Sequence, residues 1–342
     1  MGRKGMSMSK ATANSEVRAS LWSRRSGLKA VLRSPEVRRY LPLLVLTVLI
    51  LLIGLTVPHF MTGRNMVSVV RQSASLGLMA IGMSVVLIAG GIDISIPSVM
   101  ALSGIFGAMY MRAGGSPVIS VLIMLGVGVT AGIINGFAVA YLKMIPFVVT
   151  LAMMAIATGA NTWLTKSVSI TGVDMTFVDA VMGRVLGIPI PIIILVVAAV
   201  LMWFLMRRSI YGRWLYSVGT NERAARVCGV PTDRVVFGTF VTSGLFAGIA
   251  AVVVTARLAS ASSTMGNDGI VLNIIGASVV GGVSIYGGVG NALGAAVGAV
   301  FITLISNSMN MMGLSFMAGL VVKGLVIILV VAVDSIQKSR QG

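Results

Sequence analysis

Acidic residues and the side chains of most catalytic and metal sites are scarce in this sequence. Only 10% of its 342 residues are charged, nine of them Asp or Glu against 26 Lys or Arg, and it has one histidine and one cysteine. The single Cys228 rules out an intrachain disulfide. The sequence also lacks a phosphate-binding Gly-x-x-x-x-Gly-Lys-Ser/Thr loop, a cluster of metal ligands and a nucleophile–base pair. It therefore argues against an intramembrane enzyme and predicts no cofactor bound by this chain.

Long apolar runs dominate what is present. The sequence is 57% hydrophobic, its mean hydropathy is +1.00, and no charged residue occurs from Gly269 to Val322. Backbone in hydrocarbon must satisfy its own hydrogen bonds, and runs of about 20 apolar residues favour helices over barrel strands. We expect an all-α, polytopic transmembrane bundle of about ten spans. They are predicted near 42–57, 76–90, 97–111, 118–141, 146–165, 188–206, 235–256, 270–281, 291–306 and 317–334. The short spans 97–111 and 270–281 could instead be half-helices or re-entrant segments.

The basic residues are clustered, which predicts the orientation. Ten of the 26 Lys and Arg precede Tyr40 and six lie within 207–234, as expected for cytoplasmic flanks rather than for a nucleic-acid site. Residues 1–40 are thus predicted to be a disordered cytoplasmic tail, 41–335 a transmembrane domain with a cytoplasmic loop at 207–234, and 336–342 a cytoplasmic C-terminus. Arg64, Arg71, Arg184 and Arg257 are among those expected outside.

Two patterns concern helix packing. Ile81-Gly-Met-Ser-Val-Val and Ile275-Gly-Ala-Ser-Val-Val both precede a glycine pair, which indicates either an ancient duplication or chance similarity in Gly/Ala/Val-rich sequence. Glycines at a period of four (Gly128, Gly132 and Gly136; Gly290, Gly294 and Gly298) predict close backbone approach between neighbouring helices.

Two charged residues lie inside apolar sequence. Asp93 stands in Gly90-Gly-Ile-Asp-Ile-Ser-Ile-Pro97, where the glycines and the proline predict unwound backbone. It is either an element beside a translocation path or a helix-capping residue. Lys323 could pair with Asp93 or extend to an interface.

The loop 207–234 contains Gly219-Thr-Asn-Glu-Arg-Ala-Ala-Arg226, followed by Gly229 and Pro231. Its spacing predicts a small amphipathic helix ended by Gly229, suited to a groove on a partner, or else an ordinary solvated loop.

Four motifs in order resemble the signatures of bacterial ribose-type sugar ABC importer permeases. They are Gly90-Gly-Ile-Asp-Ile-Ser95, Gly219–Arg226, Gly281-Gly-Val-Ser-Ile-Tyr-Gly-Gly288, and Val322-Lys-Gly324 with Asp334. The resemblance covers residues 40–335 and departs at Ile96-Pro97, where the family more often has Val-Gly.

The resemblance implies a non-catalytic subunit in the bacterial inner membrane. Its partners would be a second permease subunit, membrane lipid, a periplasmic sugar-binding protein and a cytoplasmic ATPase that binds ATP-Mg. The segment resembling the ATPase-docking loop consists of Gly219, Thr220, Asn221, Glu222, Arg223, Ala224, Ala225, Arg226 and Gly229. Candidate pathway residues, suited to a neutral solute, are Asp93, Ser95, Asn135, Asn273, Ser284, Asn307 and Asn310; helix–helix hydrogen bonding is the alternative for the asparagines.

Two other functions remain open. A secondary transporter driven by an ion gradient would need an ion site, for which Asp93 with Lys323 is the only candidate in the sequence. A structural membrane scaffold would not contribute to uptake.

Overall fold

The computed structural model describes residues 54, 57–266, 268–315, 317–325 and 328. The predicted tail 1–40, almost all of the first predicted span, the end of the last span and the C-terminus 336–342 lie outside the described residues. The helices are α1 (Gly63–Ile88), α2 (Ile96–Arg112), α3 (Pro117–Ala140), α4 (Pro146–Thr165), α5 (Met175–Met182), α6 (Ile190–Arg208), α7 (Ile210–Thr220), α8 (Glu222–Val227), α9 (Thr232–Leu258), α10 (Asp268–Val280) and α11 (Ala292–Met311). Residues 317–325 are also helical.

Among these helices, six are long and apolar enough to cross a membrane: α1, α3, α4, α6, α9 and α11. These helices differ in the share of their residues that is buried, which distinguishes central from peripheral helices. In the most apolar part of α1, 78% of residues are buried, against 28% in α3, α4 and α6. The outer helices expose large apolar side chains such as Trp163 and Leu201. The all-α membrane bundle is confirmed, with α1 in its interior and α3, α4 and α6 carrying the apolar exterior.

Proline determines where several helices begin. The first turn of four helices contains a proline: Pro97 in α2, Pro117 in α3, Pro146 in α4 and Pro191 in α6. That position needs no backbone N–H donor and suits the fixed φ of proline. Five other helices begin instead with a side chain that accepts from a backbone N–H of their first turn: Thr62, Asp174, Ser209, Asn221 and Asn291. Between α5 and α6, the two-residue strands β1 (Arg184–Val185) and β2 (Ile188–Pro189) pair as an antiparallel hairpin.

The two short predicted spans are short helices. α2 has 17 residues and α10 has 13. At 1.5 Å per residue, α10 extends only about 20 Å, well below the roughly 30 Å of a hydrocarbon core. For the span predicted at 76–90, the predicted start was wrong, because the corresponding helix α1 begins at Gly63. The polar residues Arg71 and Gln72 therefore lie on this central helix rather than before it.

The two similar segments end in the same backbone motif. At the end of α1, the Gly90 nitrogen bonds to the Leu87 oxygen and the Gly91 nitrogen to the Val86 oxygen. At the end of α10, Gly282 and Val283 make the equivalent bonds to Val279 and Ser278. Gly90 has φ +86° and Gly282 has φ +85°, so a residue with a side chain would be strained at either position. The same ending also terminates α2, α8 and α11, so it does not decide between duplication and chance similarity.

The glycine stripes bring helix backbones together, as predicted. A Cβ on Gly132 of α3 would lie 2.5 Å from the Phe240 oxygen of α9, and one on Gly298 of α11 would lie 2.7 Å from the Gly281 nitrogen that follows α10. Since carbon atoms pack at about 3.5 Å or more, side chains at these positions would push the helices apart.

Charged residues gather in two groups that agree with the predicted orientation. Arg64, Arg71, Arg184 and Arg257, all expected outside, surround one cavity. In the second group, the Lys143 Nζ lies 2.5 Å from the Asp233 carboxylate, which is also 2.7 Å from an Arg226 nitrogen. Both Lys143 and the loop 207–234 were expected inside. Which group faces the cytoplasm stays a prediction.

Candidate functional site

Asp93 is held in a buried network of hydroxyl and amide groups. Its Oδ1 accepts hydrogen bonds from the Ser95 nitrogen at 3.0 Å and the Ser95 Oγ at 2.6 Å. Its Oδ2 accepts one from the Ser243 Oγ of α9 at 2.7 Å, and the Asn135 Nδ2 of α3 donates to the Ser95 Oγ at 3.0 Å. All four residues are buried. A carboxylate with three donors is stabilised without a cation beside it.

The space around this network is too small for a solute. About 160 Å³ of space lies between the side chains, none of which admits a water molecule. The space is small because the backbones of α3 and α9 are in close contact at their glycines. A Cβ on Gly128 of α3, for example, would lie 2.9 Å from the Gly248 nitrogen of α9. Asp93 thus joins the unwound segment before α2 to α3 and α9. In this conformation, the network acts as a packing junction.

The ion pair considered for Asp93 and Lys323 is not formed. The ion pairs among the described residues are Lys143–Asp233, Arg226–Glu222 and Arg226–Asp233. Lys323 instead lines a cavity separate from the Asp93 network. The only ion site that the sequence offered to a gradient-driven transporter is therefore absent from the part of the chain described.

Lys323 lies at a polar cavity of about 220 Å³ in the bundle. Its side chain is buried within the bundle. Asn273 of α10 and Ser75 of α1 line the same cavity, and the Asn273 Oδ1 and Ser75 Oγ atoms have no hydrogen-bond partner among the described residues. Buried polar atoms are normally paired with protein or water. Both atoms are themselves buried, so a solute in the cavity could reach them only after the wall moves. The other polar residues of the wall are Gln72, Arg257, Thr303 and Ser306.

A larger and more open cavity of about 960 Å³ adjoins this one. We call it the arginine vestibule, defined by Arg64, Arg71, Arg184 and Arg257, with Gln72 and Ser68 beside them. Gln72 and Arg257 line both cavities. Arg64 and Arg184 are exposed, Arg71 and Arg257 are partly buried, and Lys323 is buried. The basic side chains thus range from exposed arginines at the vestibule to a buried lysine at the smaller cavity.

The other predicted pathway residues lie elsewhere. Asn307 of α11 exchanges two hydrogen bonds with Asn65 of α1, at 3.0 and 2.9 Å. Ser284 belongs to the turn after α10, where its Oγ accepts from the Tyr286 nitrogen at 3.2 Å. Asn310 is exposed near the end of α11. Of the asparagines and serines predicted for the pathway, Asn273 is therefore the one at the Lys323 cavity.

The segment 219–229 contains the short helix that the spacing predicts. The Asn221 side chain accepts from the Ala224 nitrogen at 3.0 Å and begins α8. Gly229, with φ +81°, ends it, through bonds from Gly229 and Val230 to the Arg226 and Ala225 oxygens. Of the α8 residues, only Ala225 is buried, and Val227 is 89% exposed. The helix therefore presents nearly its whole surface, including Glu222, Arg223, Ala224 and Arg226.

Helix α7 connects α8 to the ends of both similar segments. The Gly288 nitrogen bonds to the Ile88 oxygen at 2.9 Å, and a Cβ on Gly219 would collide with that oxygen and lie 2.6 Å from that nitrogen. Tyr216 donates to the Gly290 oxygen at 2.7 Å. We call these contacts the α7 junction. Because no side chain separates the backbones, a shift of α7 displaces the end of α1 and the turn 281–291 directly.

Several of these residues carry no distinctive sequence signal. Ser243, Ser75 and Tyr216 lie in ordinary apolar or mixed helices, where serine and tyrosine are common. Arg71 and Gln72 could have been recognised only if α1 had been predicted to start earlier. Lys323 was visible as an intramembrane charge, but its partners were not.

Comparison with known proteins agrees with this architecture. Residues 65–331 match the family model described as the permease component of branched-chain amino acid transport systems. A ribose import permease of Bacillus subtilis (strain 168) is 36% identical over 86% of this chain and 91% of its own. A galactofuranose transporter permease of Escherichia coli (strain K12) is 36% identical over 86% and 89%, and a D-allose transport system permease of the same strain is 33% identical over 86% and 91%.

No solved structure matches the chain. The family model and the relatives nevertheless cover the bundle, both cavities and the α7–α8 segment. The chain belongs to the ribose-type sugar ABC importer permeases, the non-catalytic membrane subunits whose ATPase is a separate chain.

Proposed function

We propose that this permease moves a monosaccharide from the arginine vestibule through the Lys323 cavity to the cytoplasm. The observation that carries the proposal is that two neighbouring cavities with polar groups in their walls share Gln72 and Arg257. Hydroxyl groups of a sugar can exchange hydrogen bonds with the unpaired Asn273 Oδ1 and Ser75 Oγ. A tight site is unnecessary if a periplasmic binding protein captures the sugar and delivers it to the vestibule.

The ATPase would act on the permease through α8. We propose that the exposed residues of segment 219–229 dock on a cytoplasmic ATPase that binds ATP-Mg, as a short helix fits a groove. Closure of two ATPases would then move α7 in each permease. Through the α7 junction, this motion would reach the end of α1 and the turn after α10 together. Since α1 lines both cavities, the junction supplies a direct route from docking to the pathway.

The remaining assignments follow from the same proposal. The chain would work as a pair of permease subunits in the bacterial inner membrane, with lipid around α3, α4 and α6. In this reading, Asp93, Ser95 and Asn135 keep the bundle assembled beside the pathway, and Ser284 and Asn307 position the turn and α11.

Cys228 offers a direct test of the docking assignment, because it is the only cysteine in the chain and is exposed next to α8. In inside-out membrane vesicles carrying the permease and its ATPase, a membrane-impermeant maleimide should label Cys228 slowly. Removal of the ATPase should make labelling fast. Right-side-out vesicles should not be labelled.

A matched control moves the thiol to the predicted outer face. The double variant Cys228→Ser, Val168→Cys places it at an exposed position and should show the opposite sidedness. Labelling of Cys228 from outside, or at the same rate with and without the ATPase, would contradict the docking role. ATP-independent uptake driven by a proton or sodium gradient in proteoliposomes would contradict the importer itself.

A further inference from the structure

Every charged residue in the described lining of the two adjoining cavities is basic. Arg64, Arg71, Arg184 and Arg257 surround the vestibule, and Lys323 lies at the inner cavity. No Asp or Glu occurs among the described residues that line either one. Concave surfaces of one charge sign, with low-dielectric walls, concentrate ions of the opposite sign. The electrostatic field of this route therefore favours anions over neutral solutes.

Lys323 adds an independent observation at the inner end. Its side chain is only 7% exposed, and no described carboxylate forms an ion pair with it. A charged group within a membrane protein is costly unless it is paired or hydrated, and such groups mark solute paths. A negative group that enters the cavity would supply the missing countercharge. This pairing would be formed only while the solute passes.

Unpaired donors and acceptors occur in the walls of both cavities. At the Lys323 cavity, Ser75 is 4% exposed and its Oγ has no described partner. Arg71 lines the vestibule, where its guanidinium donates to the Met182 oxygen at 3.2 Å and its Nε has no described acceptor. An anionic oxygen accepts hydrogen bonds from lysine, arginine and hydroxyl donors more strongly than a neutral hydroxyl does. The Asn273 Oδ1, by contrast, can accept from a sugar hydroxyl. The wall thus offers cationic donors together with a neutral acceptor.

We infer that the solute is an anionic monosaccharide, which carries one carboxylate or phosphate group beside its hydroxyls. Its negative group would pass from the arginines of the vestibule to Lys323, and its hydroxyls would contact Asn273 and Ser75. The cavity at Lys323 has a volume of about 220 Å³, less than a quarter of the 960 Å³ of the vestibule, which favours one sugar ring over an oligosaccharide at the inner site. This inference rests on the proposed function and narrows its substrate class.

The test uses the complete transporter, with permease, ATPase and binding protein, in proteoliposomes that contain ATP on the ATPase side. The probe is an equimolar library of neutral monosaccharides, uronic acids, aldonic acids and hexose phosphates. Solutes that accumulate in the lumen are identified by mass spectrometry. The uronic and aldonic acids report a carboxylate, and the hexose phosphates report a phosphate. We expect one of these anionic classes to accumulate, and the neutral sugars to remain at the level of vesicles without ATP.

Substitutions then test whether accumulation of the anionic solute depends on residues of the Lys323 cavity. Lys323→Gln should reduce accumulation of the anionic solute at least about tenfold, because it removes a charge-assisted contact. Lys323→Arg should retain most of the uptake, since it keeps the charge. Arg112→Gln is the matched control, because it removes an exposed positive charge that lines neither cavity. If Lys323→Gln fails to assemble, Arg257→Gln at the shared wall replaces it and should give the same loss.

The outcomes separate this inference from the proposed function. Accumulation of neutral sugars alone overturns the anionic class and leaves the importer intact. Accumulation of an anionic sugar that is equally fast with Lys323→Gln and Arg257→Gln overturns the site. If no sugar accumulates in an ATP-dependent manner, the proposed function fails, and this inference fails with it.

Discussion

A methyl group added at Gly219 tests whether the α7 junction transmits force. In Gly219→Ala, the new Cβ would collide with the Ile88 oxygen and lie 2.6 Å from the Gly288 nitrogen. Since such atoms pack at about 3.5 Å, the collision with the Ile88 oxygen requires α7 to retreat by roughly 2 Å. Overpacking of this kind costs about 1–3 kcal/mol. Alanine recovers about 0.5–1 kcal/mol through its better helix propensity. The net loss in free energy of unfolding is therefore about 0–2.5 kcal/mol, and the size of the retreat favours the upper part of this range.

Gly159→Ala is the matched control. Gly159 also lies within a helix, but its Cβ would meet no atom within 4 Å. The same chemical change should therefore raise stability by about 0.5–1 kcal/mol. Opposite signs are expected from identical substitutions, and the difference arises entirely from the backbone contact at Ile88 and Gly288.

Two measurements follow, on both variants in the same lipid and detergent. The thermal unfolding midpoint should fall for Gly219→Ala and rise slightly for Gly159→Ala. ATP-driven uptake by the complete transporter should fall about tenfold for Gly219→Ala if docking and pathway are connected there, because 1.4 kcal/mol corresponds to a factor of ten. Normal stability and uptake in Gly219→Ala would refute the close contact. Reduced stability with normal uptake would show that the contact is structural and carries no force.

Three further substitutions probe the other contacts. Asp93→Ala removes the acceptor for the Ser95 and Ser243 hydroxyls and should lower the free energy of unfolding by about 1–3 kcal/mol or more. The thermal unfolding midpoint measures this loss, and an unchanged midpoint would contradict the packing role of Asp93. A double-mutant cycle of Asn65→Ala and Asn307→Ala should give a coupling energy of about 0.6–1.7 kcal/mol in chemical unfolding, and additive effects would argue against the paired amides. Glu222→Ala removes an exposed ion pair worth about 0.3–0.5 kcal/mol, so stability should hardly change while uptake falls; full uptake would exclude Glu222 from docking.

Much of the fold could be predicted because it depends on local chemistry. Apolar runs identified the long helices, and Pro117 and Pro146 begin α3 and α4 within a residue of the predicted starts. The period-four glycines predicted close packing because every fourth residue lies on one helix face. Asn221 and Gly229 bound the coupling helix through hydrogen bonds that span only a few residues. In each case the decisive atoms are neighbours in sequence.

The start of α1 was missed because its first turns combine polar and apolar residues. Arg71 and Gln72 lowered the apparent hydrophobicity of a helix that lies in the bundle interior, where neighbouring helices rather than lipid surround it. A hydropathy pattern describes lipid exposure, and it underestimates a span whose polar side chains face an internal cavity.

Length, apolarity and capping are local properties, so the amino-acid sequence was enough to predict a helical membrane bundle with a short helix in its basic loop. Which charged and polar groups meet depends on packing between distant helices and could be read only from the folded structure. Asp93 and Lys323 were both visible as intramembrane charges, yet Asp93 accepts hydrogen bonds from Ser95 and Ser243, while Lys323 lines a cavity together with Asn273. These partners are separated by as many as 150 residues, and packing between helices, which no local pattern encodes, brings them within contact distance.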